Sequence, residues 1–315
     1  MTPNTLPDTT IRAQGKLLLT GEYAVLDGAL ALALPVRYGQ TLEVFSGGES
    51  GVLTWTSRDE TGNTWFEAAF TLPGLDALRS TDEPTAYRLR EILQACRRQN
   101  PRFLADLAAT QVQTRTDFPR AWGLGTSSTL VAAVARWAGA DPYRVLFDTF
   151  GGSGYDIACA FAECPLLYRL DDGLPHVESV PFGPSFADRL FFVFLNKKQD
   201  SRVGIRRFRE RAQGDTGLIG AVSELTRQCL AANTLGDFCA ALLEHERLIG
   251  GALDLPRAQD LYFPDFPGVV KSLGAWGGDF VLAASDTADT VRYFQELNFA
   301  VCIPYADMVA IKKSQ

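Results

Sequence analysis

Residues 121–139, AWGLGTSSTLVAAVARWAG, constrain this chain more than any other stretch. Gly123 and Gly125 open a sharp turn, four consecutive hydroxyl residues follow from Thr126 to Thr129, and small apolar residues come next at helical spacing. Leu130, Val134 and Trp137 fall at i, i+4 and i+7 with Val131 beside them, which predicts a buried helical stripe beginning near Ser128. The first N–H groups of a helix lack internal partners and carry partial positive charge. Glycines let a bulky anion approach that backbone, and hydroxyls donate to phosphate oxygens or ligate Mg²⁺. A capped helix with a tight turn would explain a bare G-x-G, but four hydroxyls exceed what capping needs. Two known phosphate loops are excluded. The only Gly-Lys pair, Gly15-Lys16, is followed by Leu17 rather than Ser or Thr, and Ser128 stands where a dinucleotide fingerprint needs its third glycine.

The rest of the chain limits the partners of such a turn. Its 315 residues are enough for one large or two medium domains, and 46% hydrophobic with 21% charged residues is an ordinary soluble composition. No apolar run approaches the roughly 20 residues that span a bilayer, and the polar start MTPNTLPDTT lacks the features of a signal peptide. A cytoplasmic protein with no membrane partner is expected. A net charge of −7 with well-mixed signs argues against a nucleic-acid partner but leaves an anionic small molecule open. The cysteines (Cys96, Cys159, Cys164, Cys229, Cys239, Cys302) show no C-x-x-C spacing and read as reduced thiols. With His176 and His245 the only histidines, chemistry falls to carboxylates, lysine, hydroxyls and backbone.

Strand and helix patterns alternate in both halves, which predicts an α+β chain of two domains. Residues 52–70 read as a hairpin turning at Gly62 and Asn63, and residues 83–98 as an amphipathic helix on Tyr87, Ile92 and Cys96. Residues 110–118 read as a half-exposed strand. The Pro- and Gly-rich stretch 177–189 marks the boundary, giving domains 1–183 and 184–315. Beyond it come a buried strand at 189–196, a basic helix from Ser201, a long helical region over 216–250 and a strand at 277–285. A helix N-capped by Asp286 and a final strand at 307–313 complete the chain.

Three further segments could carry chemistry. FGGSGYDIACA, 150–160, places Asp156 after a flexible glycine run, either as a helix cap or as an acceptor for a substrate hydroxyl proton. SLGAWGGDFVLA, 272–283, is a Gly-rich turn entering a buried strand. Lys16, just before an apolar strand, is either a solvated end or a counter-charge beside a carboxylate.

In this order the four segments resemble the GHMP kinases. GKLLLTGEYAVLDGALALALPV is closest to the first motif of mevalonate and phosphomevalonate kinases, GLGTSST is similar to the family's ATP phosphate loop, GGSGYDIA matches the place of its catalytic aspartate loop, and GAWGGDF its C-terminal glycine loop. The strings GYDIA, GEYAVLDG and SLGAWGGDF are similar to a bacterial subgroup of that superfamily. The resemblance implies a two-domain fold, with a left-handed β-α-β crossover in the N-terminal domain and a ferredoxin-like C-terminal domain, using ATP and Mg²⁺. It implies that Gly123, Leu124, Gly125, Thr126, Ser127 and Ser128 cradle phosphates, with Thr126 or Ser127 directed at the metal. Asp156 would deprotonate the acceptor hydroxyl, Lys16 would stabilise the charges formed, and Glu22 and Tyr23 would face the acceptor.

Three features depart from the family pattern. The glutamate that binds Mg²⁺ in mevalonate kinases, about three helical turns before the aspartate, is missing from DPYRVLFDTF, where Asp148 is the rough substitute. Trp276 and Asp279 replace glycines of the C-terminal loop, and a carboxylate near ATP phosphates would repel them, so that loop is expected to face the acceptor or point away. Gln14 replaces a proline. Lys197, Lys198, Arg202, Arg206 and Arg209 form either a solvated basic helix or a site for an anionic acceptor. The leading expectation is an ATP-dependent kinase of mevalonate or phosphomevalonate, as a monomer or homodimer. A sugar kinase of the same superfamily and a catalytically silent binding protein are the alternatives.

Overall fold

The computed structural model describes residues 6–197, 201–274, 276 and 278–311. The chain folds as two compact units built from interleaved segments. Unit one comprises residues 1–15, 38–120 and 125–161, and unit two comprises 16–37, 121–124 and 162–315. The expected division at 183/184 is, by contrast, a single cut along the chain.

β1 (Thr9–Thr20) and β2 (Ala31–Ser46) each run through both units. Unit one adds β3 (Val52–Arg58), β4 (Thr64–Thr71), β5 (Ala77–Ser80), α1 (Glu83–Gln99), β6 (Thr110–Thr116), α2 (Thr126–Ala138), α3 (Pro142–Thr149) and α4 (Tyr155–Cys159). Its strands lie in the order β5-β4-β3-β6-β2, antiparallel except for the β3–β6 pair. β3 and β4 form the expected hairpin. The core packs Leu53, Trp55, Phe66 and Val112 of the strands against Leu89, Ile92, Leu93 and Cys96 of α1 and Val131 and Val134 of α2. Tyr87 is 60% exposed and so lies off the buried face, whose members are Ala86, Leu89, Ile92, Leu93, Ala95 and Cys96. Asp82, Pro84 and Glu83 start α1 as capping rules require, with the Asp82 carboxylate accepting from the Thr85 N–H at 2.9 Å.

Unit two adds β7 (Leu166–Asp171), β8 (Leu174–Ser179), β9 (Leu190–Phe194), α5 (Ser201–Ala212), α6 (Thr216–Ala231), α7 (Leu235–Leu253), α8 (Ala258–Tyr262), β10 (Val269–Ser272), β11 (Phe280–Ala284), α9 (Thr290–Glu296), β12 (Cys302–Pro304) and α10 (Tyr305–Met308). The start of β2 pairs with β7, which pairs with β8, and an antiparallel sheet runs in the order β10-β11-β9-β12. Apolar side chains of β9, β10 and β11 pack with Phe263, Phe266 and Phe294. The α5, α6 and α7 helices bury Phe208, Val222, Ile249 and Leu253 around Tyr23 and Trp276.

Local chemistry corrects four expectations. Helix α2 starts at Thr126, two residues earlier than expected, because Gly125 at φ 96° serves as the N-cap. The long region splits at Ala232, where Thr234 caps α7 by accepting from the Asp237 N–H at 3.1 Å. Asp286 pairs with Arg189 rather than capping a helix, and Asp289 takes the N-cap position of α9. The final strand reduces to one bridge, Val309 with Val36, because Pro304 ends β12 and leads into α10; Lys312 and Lys313 lie outside the described residues. All six cysteines are free thiols.

Candidate active site

The glycine–hydroxyl turn has the conformation an anion cradle needs. Gly123 and Gly125 sit at φ 64° and 96°, in the left-handed region that favours glycine. The N-terminus of α2 has no side-chain cap. The four hydroxyls divide into two pairs. Ser128 Oγ donates to the Gly125 carbonyl at 2.9 Å, and buried Thr129 bonds Gln40 Oε1 at 2.8 Å and the Thr126 carbonyl at 3.0 Å. Those two secure the turn. The hydroxyls of Thr126 and Ser127 make no hydrogen bond among the described residues, and Ser127 is exposed. Leu124 is fully buried and so contributes backbone alone.

Asp156 occupies the first turn of α4, which packs on α2 within unit one. Gly154 precedes the helix at φ 88°, and the Asp156 Oδ1 accepts from the Ile157 N–H at 3.0 Å. Gly154 rather than Asp156 thus holds the N-cap position, and the half-buried Asp156 bonds the N–H of its own neighbour inside the first turn. Asp148 makes an ion pair with Arg98 at 3.0 Å. No group of three or more metal-ligating His, Cys, Asp or Glu side chains occurs among the described residues.

Lys16 belongs to unit two. Its backbone N–H donates to the Leu124 carbonyl at 2.9 Å and its Nζ to the Gly123 carbonyl at 3.1 Å, so this lysine is tied to the start of the turn rather than left at a solvated strand end. Asp279 approaches the same glycine, and a Cβ placed on Gly123 would overlap its carboxylate. The C-terminal loop does not point away from the turn at this residue. Trp276, by contrast, is buried against Gly250 and donates its indole N–H to the Pro256 carbonyl at 3.1 Å, a packing role.

Among the expected acceptor-side residues, Tyr23 is buried, stacks on Phe208 at 6.4 Å and lies against Gly204 of α5, leaving no room there for a side chain. Lys197 is exposed with its ammonium 3.9 Å above the Tyr262 ring. Arg202, Arg206 and Arg209 are exposed on α5. Lys198 lies outside the described residues.

No sequence-family model matches this chain, and no curated protein does. Solved structures do. A mevalonate kinase of Methanococcus jannaschii matches with a TM-score of 0.69 and 14% identity, covering 96% of this chain and 99% of its own. A Streptococcus pneumoniae phosphomevalonate kinase, in complex with phosphomevalonate and AMPPNP, matches at 0.67 and 19%, covering 95% and 96%. A Lactococcus lactis galactokinase complexed with galactose matches at 0.67 and 12%, covering 98% and 95%. The chain has the GHMP-kinase fold.

Within that GHMP fold, unit two holds a buried ionic cluster that sequence reasoning placed only in part. Glu22, expected at the acceptor, has no exposed surface. Its Oε1 accepts from Lys271 Nζ, which also donates to the Ser272 carbonyl at 2.8 Å and lies 3.9 Å from Glu246 Oε2. Ser272 donates its N–H and hydroxyl to Glu246 Oε1 at 3.0 and 2.8 Å. His245 Nε2 accepts from the Gly21 N–H at 2.9 Å, which assigns the proton to Nδ1. Burial pushes the Glu22 carboxyl up to about 7 against the opposing pull of Lys271, raises Glu246 and, together with the Lys271 charge, holds His245 neutral. Burial thus works against keeping both carboxyls ionised beside the single ammonium. The sequence did carry a signal for this cluster. Leu242, His245, Glu246, Ile249 and Leu253 share one helical stripe, and Lys271 interrupts an apolar strand. No helix among the described residues is long and apolar enough to cross a membrane.

Proposed function

We propose that this chain is an ATP-dependent small-molecule kinase, transferring a phosphoryl group to an anionic acceptor of the mevalonate or phosphomevalonate type. The observation that carries the reading is the open N-terminus of α2, with uncapped N–H groups and two unengaged hydroxyls, behind two left-handed glycines. Phosphoryl transfer asks chiefly for positioning and charge neutralisation. In this reading the N–H groups from Gly125 to Ser128 hold the phosphates, and Lys16 offsets negative charge at Gly123. Asp156 takes the acceptor's hydroxyl proton as that oxygen bonds to phosphorus and the bond to ADP breaks. The neighbours crystallised with phosphomevalonate and AMPPNP and with galactose fit such chemistry. The hydroxyls of Thr126 and Ser127 are hard oxygen donors suited to Mg²⁺, which when bound neutralises phosphate charge.

The Asp279 carboxylate at the turn is the observation that favours a silent binding protein instead. Mg²⁺-dependent ADP release against mevalonate, phosphomevalonate, homoserine and simple sugars separates the readings. Turnover on one acceptor, reduced about 10²- to 10⁴-fold by Asp156→Asn with ATP binding kept, supports the kinase. ATP binding with no turnover on any acceptor supports the silent protein.

A further inference from the structure

The large sheet ends in β8, a strand that pairs with β7 alone among the described residues, and both strands belong to unit two. A two-residue turn, Asp172 at φ 49° and Gly173 at φ 77°, joins them in the left-handed conformation that suits a tight hairpin. Leu174 and Val177 are 67% and 47% exposed, and His176, Glu178 and Ser179 are exposed as well. The register sets Val177 beside buried Tyr168 and Pro175 beside half-buried Leu170, so these two carry the apolar side of the sheet out to its open edge. His176 and Glu178 stand on the opposite side with Arg169 and Asp171. His176 Nε2 is 3.9 Å from the Asp171 carboxylate, beyond hydrogen-bond reach, and Arg169 takes that carboxylate at 3.0 Å.

Ladder parity decides which backbone groups face outward. The Asp171–Leu174 pair closes the hairpin, so Leu174, His176 and Glu178 turn their N–H and C=O groups to β7. Val180 continues the alternation by donating to the Pro165 carbonyl at 2.9 Å. Pro175, Val177 and Ser179 therefore turn theirs to the open edge, where the proline offers an acceptor and no donor. Two such edges laid antiparallel about a two-fold axis have two registers that are equal in hydrogen bonds. In the first, Val177 exchanges a pair of bonds with the partner's Val177, and each Ser179 N–H donates to a Pro175 carbonyl across the axis. In the second, Val177 exchanges a pair with the partner's Ser179, once on each side of the axis. Charge separates them. The second register sets Glu178 against the partner's Glu178, and like charges directly opposite destabilise a sheet. The first sets His176 against the partner's Glu178 twice, and an imidazole donates to a carboxylate in either protonation state. We propose that β8 is a homodimer interface, pairing with β8 of a second copy of this chain in the register centred on Val177. Pairing at β8 involves no residue of the nucleotide reading.

Sedimentation over a concentration series reads the dimer, and amide exchange by NMR reads the strand. The wild type should dimerise reversibly, with the Val177 and Ser179 amides gaining protection as the dimer fills. Val177→Pro removes the central outward donor from each copy and leaves the β7 ladder intact, because that N–H does not face β7. It should raise the dimer dissociation constant at least about fivefold, the loss of two hydrogen bonds. Glu178→Lys should raise it at least about twofold by replacing both charge-complementary pairs, and adding His176→Glu should restore the wild-type value. These charge variants carry the test should Val177→Pro fail to fold. A wild type that stays monomeric up to its solubility limit would overturn the interface. So would a dimer whose dissociation constant neither Val177→Pro nor Glu178→Lys changes, since its contact then lies elsewhere. A double variant that dimerises no better than Glu178→Lys would overturn the register.

Discussion

Substituting Glu22 by glutamine tests the buried cluster directly. Glutamine has nearly the shape of glutamic acid and cannot ionise, so Glu22→Gln is a fixed copy of the protonated form. In the folded chain the Glu22 carboxyl titrates at about 7, against 4.5 for an ordinary glutamate. Between those values the folded state binds the extra proton, so stability falls as pH rises. Glu22's contribution is fully present below pH 4.5 and is lost as pH passes 7. The displacement from 4.5 to about 7 corresponds to roughly 3 kcal/mol. Burial also raises the Glu246 carboxyl, and the charge on Glu246 adds to the rise of Glu22, so the two groups titrate as neighbours in one cluster. Urea unfolding of both proteins at several pH values from 5 to 8 gives the difference. The variant's stability relative to wild type should increase by roughly 2–3 kcal/mol over that range, with the sign set by removal of a deprotonation the fold resists. A difference that stays flat with pH would refute the placement of a shared proton in this cluster.

Other perturbations follow from the same geometry. Lys271→Met leaves both carboxyls buried without their ammonium and should cost about 3–5 kcal/mol at neutral pH in urea unfolding, less at pH 5 where both can protonate. Gly123→Ala forces a Cβ into the Asp279 carboxylate at φ 64°; it should weaken AMPPNP binding, with partial recovery when combined with Asp279→Gly. Thr129→Val removes a buried hydroxyl and leaves Gln40 Oε1 unpaired, so unfolding stability should drop by about 1–3 kcal/mol. Trp276→Phe loses the bond to the Pro256 carbonyl and should cost about 1 kcal/mol in stability without altering metal-dependent nucleotide binding.

Much of the architecture was legible because its causes are local. The β3–β4 hairpin declares itself through alternation around Gly62 and Asn63, and α1 through its Asp82-Glu83-Pro84 start. Legibility failed where two local signals competed. Asp286 and Asp289 are both plausible caps, and only the pairing of Asp286 with Arg189 selects between them. The break at 232–234 had a capping signature, Thr234 with Asp237, hidden inside an apolar helical period. Within the turn, equal-looking hydroxyls received different tasks because Gln40, 89 residues away, reaches Thr129.

The sequence alone determined the glycine–hydroxyl turn, the helix behind it and the order of the loops that resemble a kinase, since backbone freedom, capping and period are written within a few residues of each other. Tertiary structure alone decided which charges are buried and which meet. Glu22 finds Lys271 across 249 positions of sequence, and Asp279 comes to rest on Gly123. Solvation and Coulomb energies depend on distance in space, which a residue's place along the chain does not disclose.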